Sequence, residues 1–327
     1  MRPRIFAAPA AALLLTSCGY IGDPLPPLAN IPTRVTDLAA IQRGGRIIAH
    51  FTIPQLTTED KPIPRPLTLD LRVGPNPSDH FDENQWASGA RHIPAPEVTG
   101  AMATYEIPSA EWIGKEVLLS VRVTAGNGKQ SAWSNFLVLP VIAAPAAPTA
   151  ITPAAIAQGV RLTWQGPGTG FRVLRKTADT GYAVAATVER PEWTDTAAEF
   201  GKTYHYEVQA LVALPNGGQA ESDLSGEVSI TPQDVFPPAT PTGLHADPAP
   251  GSIELAWDRN TEPDLAGYRV YRATGGGAFE KVADVTQIPS WSDRGVEPGK
   301  TYRYAVTAVD QSGNESPRSP AVSAALP

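Results

Sequence analysis

This chain of 327 residues has one cysteine, two methionines and only five histidines. A lone thiol cannot close an internal disulfide, and a thiolate metal site needs several ligands. The histidines are scattered with no second histidine at metal spacing. His50 and His205 fall on the strand phases opposite Phe51 and Tyr204, which predicts outward faces. Basic residues are outnumbered, 26 against 33 acidic, for a net charge of −7. No basic stripe with interleaved aromatics occurs, which argues against a nucleic-acid partner. A Gly-x-Ser-x-Gly elbow, a phosphate loop and a His-Glu-x-x-His motif are all absent. Acyl-transfer, phosphoryl-transfer and zinc-hydrolase chemistry therefore have no visible residues, and neither a cofactor nor an enzymatic activity is expected. Beyond the N-terminal segment, no apolar run approaches the ~20 residues that span a bilayer.

The single cysteine has an informative position. Arg2 and Arg4 form a positive n-region, Ile5 to Leu15 an apolar h-region, and Leu15-Thr16-Ser17 lead up to Cys18 as small residues do at a signal cleavage site. The segment resembles a bacterial lipoprotein signal. That resemblance implies cleavage before Cys18, acyl chains on the new N-terminal cysteine, and membrane lipid as a partner through it. One acyl chain binds only marginally, so stable anchoring needs two or more. Removal of residues 1–17 would take two arginines and no acids, moving the net charge to −9 (24 basic against 33 acidic residues). Gly19 after the cysteine resembles outer-membrane lipoproteins of enteric bacteria, so the expected location is the outer membrane of a bacterial envelope. Pro24, Pro26 and Pro27 then bias residues 18–30 toward an extended polyproline tether. The run Cys-Gly-x-x-Gly-x-Pro-Leu is also similar to small lipoproteins that mature the lipopolysaccharide translocon, although Ile21 stands where those carry lysine.

The whole chain is rich in turn formers, 28 Gly and 34 Pro, and its remainder repeats. Arg161-Leu162-Thr163-Trp164 answers Glu254-Leu255-Ala256-Trp257, with the tryptophans about 90 residues apart, the length of one small sandwich domain. Phe171-Arg172-Val173-Leu174-Arg175 answers Tyr268-Arg269-Val270-Tyr271-Arg272. Glu192-Trp193-Thr194-Asp195 answers Ser290-Trp291-Ser292-Asp293, and Gly201-Lys202-Thr203-Tyr204 answers Gly299-Lys300-Thr301-Tyr302. Short alternating runs between Gly, Pro, Asn and Asp clusters predict antiparallel sandwiches. At these residues the chain resembles tandem fibronectin type III modules, which carry a core tryptophan on the second strand (Trp164, Trp257) and a tyrosine corner before the sixth (Tyr204, Tyr302). The predicted fold class is all-β, with immunoglobulin-like sandwiches over 146–233 and 237–327. A divergent copy is expected over 31–142. Ile47, Ala49, Phe51 and Ile53 form its second strand, Leu67 to Val73 its third, and Gly114-Lys115-Glu116-Val117 takes the corner place without a tyrosine. Residues 131–135 are predicted as its last strand, and Pro54–Pro66 as an insertion.

Candidate sites are few. Trp193 and Trp291 recur at equivalent positions, which predicts core packing. Trp86, Trp112 and Trp133 have no counterparts. Trp133 aligns with Leu224 and Arg318, a position predicted to see solvent, so Trp86 and Trp133 are the candidate ligand-binding residues. Asp258–Asp264 and Asp310–Glu315 lack the alternate ligands, central glycine and distal glutamate of a calcium loop and read as turns, so no metal is expected. Two functions remain open. One is a non-enzymatic, lipid-anchored envelope protein whose modules space or bind an envelope protein or glycan. The other is a carbohydrate-binding or adhesive lipoprotein with its site in the first domain, which an exposed pair of coplanar aromatics would favour.

Overall fold

The computed structural model describes residues 29–77, 81–96 and 100–326. Cys18 and the rest of the predicted signal lie outside these residues. The first repeat supplies β1 (Ala39–Arg43), β2 (Arg46–Thr52), β3 (Thr68–Pro75), α1 (Glu83–Gly89), β4 (Arg91–Ile93), β5 (Met102–Pro108), β6 (Lys115–Thr124) and β7 (Leu137–Val141). The second supplies β8 (Thr149–Ile156), β9 (Gly159–Gln165), β10 (Gly170–Lys176), β11 (Ala183–Val188), β12 (Glu192–Asp195), β13 (Tyr204–Ala213), β14 (Gln219–Leu224) and β15 (Val228–Ile230). The third supplies β16 (His245–Ala249), β17 (Ser252–Ala256), β18 (Leu265–Thr274), β19 (Glu280–Val285), β20 (Ser290–Asp293), β21 (Thr301–Asp310) and β22 (Val322–Ala325).

Each repeat is a sandwich of the fibronectin type III kind. In the third, β16-β17-β20 make one sheet and β19-β18-β21-β22 the other. The second pairs β12-β9-β8 with β11-β10-β13 and the two-part last strand β14/β15. In the first, β4-β3-β6-β7 is the four-stranded sheet and β1-β2-β5 lies in the other. Strand periodicity sends alternate side chains inward. Val160, Leu162 and Trp164 thus meet Phe171, Val173 and Val208 in one core. Ile253, Leu255 and Trp257 meet Tyr268, Val270 and Val306 in the next. Each core tryptophan packs edge-on against the third strand, Trp164 on Phe171 at 5.4 Å and Trp257 on Tyr268 at 5.2 Å. Phe51, where the first repeat lacks tryptophan, stacks on Tyr105 at 6.0 Å. Trp193 and Trp291 pack against these cores, as their repetition predicts.

The glycine turn before the corner is built the same way three times. Gly114, Gly201 and Gly299 have φ of 79°, 79° and 77°, a left-handed turn that favours glycine. Each N–H closes the turn onto the end of the last strand: Val141 O, Pro232 O and Leu326 O. Tyr204 and Tyr302 then accept from the Glu199 and Glu297 amides at 2.9 and 3.0 Å. Val117 takes their place in the first repeat.

One expectation for the first repeat needs correction here. Residues 131–135 are not a strand; the last strand is β7. The preceding segment is held instead by serine hydroxyls that accept backbone amides: Ser131 from Val123 and Ser134 from Val121, both at 3.1 Å. Ser222 and Ser225 do the same for Ala210 and Val208, and Ser316 and Ser319 for Ala308 and Val306. Ser-x-x-Ser is therefore a structural signature of all three copies, satisfying amides that a regular strand would otherwise pair.

The chain divides into two compact units. One comprises the described parts of Met1–Ala40, Ala49–Tyr105 and Val117–Leu139, and the other Ile41–Ile48, Glu106–Glu116 and Pro140–Pro327. In the second unit the Ile41–Ile48 turn is held by Glu221. Arg43 and Arg172 both reach this buried carboxylate at 2.7 Å, and its backbone oxygen accepts the Gly44 amide at 2.8 Å. The segment after β15 is held on both sides. Phe236 lies 6.1 Å from Phe200, and Asp234 accepts from Ser312 and Asn314.

Candidate functional site

Helix α1 distinguishes the first repeat. Asp82 caps it by accepting the Gln85 amide at 2.7 Å, an Asp-x-x-Gln arrangement characteristic of helix starts. The helix lies close on β3 because Gly74 leaves room: a Cβ there would sit 3.0 Å from Ala90 and 3.2 Å from the Trp86 indole nitrogen. Trp86 Nε1 donates to Pro75 O at 3.2 Å, fixing the ring across the strand end. Around it gather Phe136 at 5.5 Å, Phe81 at 6.4 Å and Trp133 at 6.4 Å, while Phe81 and Phe136 are 4.8 Å apart. The structure thus brings Trp86 and Trp133 together, but their exposures differ. Trp133 is only 4% exposed, against the expectation of solvent contact. Its counterpart Leu224 is 42% exposed, and Arg318 lies at the surface. Trp86 of α1 lies against Trp133, with the Arg122 guanidinium 4.4 Å from its ring centroid. Phe81, at 44% exposed, is the accessible ring, with Trp86 and Phe136 half-buried. Interplanar angles of 54° to 81° make this an edge-to-face cluster; none of its pairs is coplanar.

Beside the rings is a polar cleft of about 330 Å³ lined by Arg72, Asn84, Ala87, Ser88, Arg122 and Trp133. Asp70 accepts from Arg72 Nε at 2.6 Å and Arg122 Nη2 at 3.2 Å, and His92 Nε2 lies 3.8 Å from it. Burial, with Asp70 nearby, pushes the Tyr105 phenol up to about 12. Arg72 and Arg122 belong to no sequence motif; their one signal in the chain is an outward phase on β3 and β6.

Elsewhere, His205 bonds Glu227 at 2.8 Å, and His50 is half-exposed on β2. Lys176, Tyr182 and His205 hydrogen bonds hold the Glu227 carboxyl down at about 2. Asn260 and Glu262 do turn work: Asn260 N donates to Tyr268 OH, and Glu262 accepts the Ala239 amide. Folding also gathers Asp264 and Asp310, from the two runs read as separate turns, with Asp234; their carboxylate oxygens lie within 4.8 Å of one another. Asn314 donates to Asp310 through its backbone and side chain, both at 2.8 Å. Among the described residues, no helix is long and apolar enough to cross a membrane.

No family model matches the chain. A segment of 189 residues, 56% of the chain, is 28% identical to exoglucanase B of Cellulomonas fimi. Shorter segments are similar to amylopullulanases, at 35% over 107 residues for Thermoanaerobacterium saccharolyticum and 41% over 123 residues for Thermoanaerobacter thermohydrosulfuricus. The matches span only 17%, 8% and 8% of those proteins. Among solved structures, the FN1–FN3 domains of chicken CNTN1 overlap 90% of this chain and 99% of their own at 15% identity and a TM-score of 0.29. The chain is thus similar to limited segments of glycoside hydrolases.

Proposed function

We propose that this chain is a non-catalytic, lipid-anchored protein of the bacterial outer membrane whose sandwiches act as spacer and interaction modules for an envelope protein or glycan. Cys18 carries the anchor and the first repeat the binding surface. The observation that carries the reading is the unequal use of aromatics. Trp164, Trp193, Trp257 and Trp291 pack at repeat-equivalent core positions. The first repeat instead places Phe81, Trp86 and Phe136 outside the sandwich core, around a helix the other copies lack. Function tends to gather on such insertions.

The similarity to segments of exoglucanase B and the amylopullulanases favours a second reading, a carbohydrate-binding lipoprotein with its site in the first repeat. The edge-to-face rings weigh against a flat stacking platform for neutral sugars, so the glycan would be held mainly by polar groups.

Two measurements test the proposal. Cys18→Ser should leave an unacylated, uncleaved or soluble protein, seen by fractionation and N-terminal mass spectrometry; membrane-bound wild type with an unmodified Cys18 would refute the anchor. A glycan array and capture from envelope extracts should both weaken with Phe81→Ala or Trp86→Ala. Full capture by these variants would remove the first repeat from the interface.

A further inference from the structure

The outer face of the four-stranded sheet is charged differently in the three repeats. In the second, Arg172 donates to Glu221 and Gln209, both at 2.7 Å. In the third, Arg269 pairs with Glu315 and, at 3.4 Å, with Asp284. Glu221 and Glu315 each stand one residue before the first serine of Ser-x-x-Ser. The first repeat has Gln130 there, bonded to Thr124 rather than to an arginine. On this face Arg72 of β3 and Arg122 of β6 project their guanidiniums side by side, and among the described residues Asp70 is the one carboxylate paired with them. A half-buried surplus of positive charge therefore sits on a chain whose net charge is −7.

The surplus faces a cleft with hydrogen-bonding capacity to spare. Arg122 makes one hydrogen bond, to Asp70, out of five possible donors. Its stacking on Trp133 holds the guanidinium in place, so little rotamer freedom remains to be lost on binding. Arg72 is oriented by Asp70 and by Ala90 O at 3.3 Å. Exposed Asn84 and Ser88 of α1 supply further polar groups, with buried Ala87 and Trp133 beneath them.

We propose that this cleft binds the anionic group, carboxylate or phosphate, of an acidic saccharide. The guanidiniums match the paired oxygens of either group, and Asn84 adds a neutral donor. A volume of about 330 Å³ suits a group of that size. The proposal rests on the reading of the first repeat as the binding module and names its ligand class.

Titration calorimetry of the detergent-solubilised full chain tests it with three probes: trigalacturonate, glucose 6-phosphate and neutral maltotriose. At least one anionic probe should bind, weakening as salt screens the charges, and maltotriose should not. The stronger anionic probe identifies carboxylate or phosphate as the source. Arg72→Gln should lower affinity about tenfold, the loss of a charge-assisted hydrogen bond. Asn84→Ala, on the exposed face of α1, should weaken binding while leaving thermal unfolding unchanged, which separates a lost contact from a damaged fold. Binding of maltotriose equal to that of the anions, or anion binding unchanged in both variants, overturns the proposal. Failure of every anionic probe alongside envelope capture that still depends on Phe81 also overturns it, and leaves the binding-module reading standing.

Discussion

The regular second and third repeats and the divergent first solve the same packing problem with different chemistry. Each regular copy buries a carboxylate inside the sandwich. Asp195 accepts from Tyr206 OH at 2.8 Å and from Arg175 at 2.7 Å; Asp293 accepts from Tyr304 OH at 2.8 Å and from Arg272 at 2.9 Å. Burial and the hydrogen bond to aspartate push both phenols well above their usual range, so they remain neutral donors. In the first repeat Leu119, opposite Val73, takes the place of these tyrosines and Val117 that of the corner tyrosine. Aliphatic side chains at these two positions have no polar partner to satisfy, and this copy keeps Arg72 and Arg122 on the outside. A polar network fixes a sandwich by geometry; an aliphatic one leaves the surface free to diverge.

The comparison can be broken most severely at the core aromatics. Trp164→Ala, Trp257→Ala and Phe51→Ala should each cost about 3–5 kcal/mol, measured by urea unfolding with proteolysis to locate the lost repeat. If Trp257→Ala also opened the second repeat, the contacts of Asp234 and Phe236 would have to couple the two copies.

Next in size are the buried carboxylates. Asp195→Ala or Asp293→Ala should cost about 3 kcal/mol by stranding an arginine and a phenol. Adding Tyr206→Phe to Asp195→Ala should recover part of that loss, and strict additivity would show that the network is not a unit.

Single hydroxyls come third. Tyr204→Phe and Tyr302→Phe should each cost about 1 kcal/mol, as should Ser134→Ala, Ser225→Ala and Ser319→Ala. Equal serine effects in all three copies would confirm that Ser-x-x-Ser is shared while the tyrosine corner is not.

The smallest effect is acid sensitivity. Burial would raise the Glu221 and Glu315 carboxyls. It is outweighed by hydrogen bonds from Arg172 and Arg43 in one case, and from Tyr271, Thr307 and Arg269 in the other, so both end below the usual carboxylate value. Their stabilisation is therefore present above about pH 4.3 and is lost as pH falls through the lowered folded values. Unfolding of Glu221→Gln and Glu315→Gln should differ from wild type near neutrality and converge with it in acid. Gln130 gives the first repeat no such dependence. A gap that persisted in acid would mean that the two side chains contribute through packing rather than charge.

Much of this was legible in the chain itself. Trp164, Trp257, Tyr204 and Tyr302 stood out because a sandwich core repeats its requirements at a fixed spacing, and Gly114-Lys115 marked the divergent first copy without its tyrosine. Two things were obscured. Trp133 occupies an aligned position that its counterparts leave open, and only the neighbouring α1 explains its burial. The helix itself was signalled by Asp82 and Gln85, but seven helical residues offer too little periodicity to compete with a polar loop.

Strand alternation, the glycines of the corner turns, the core aromatics and Ser-x-x-Ser are local or periodic demands, so the sequence alone determined an all-β chain of repeated sandwich strands. It could not determine which outward side chains would meet. Arg72 and Arg122 share Asp70, and Asp234, Asp264 and Asp310 converge, through strand pairings and turns that join residues far apart in the chain. Charge balance on a surface depends on those distances rather than on composition. The positive cleft of an acidic protein was therefore decided by the tertiary structure.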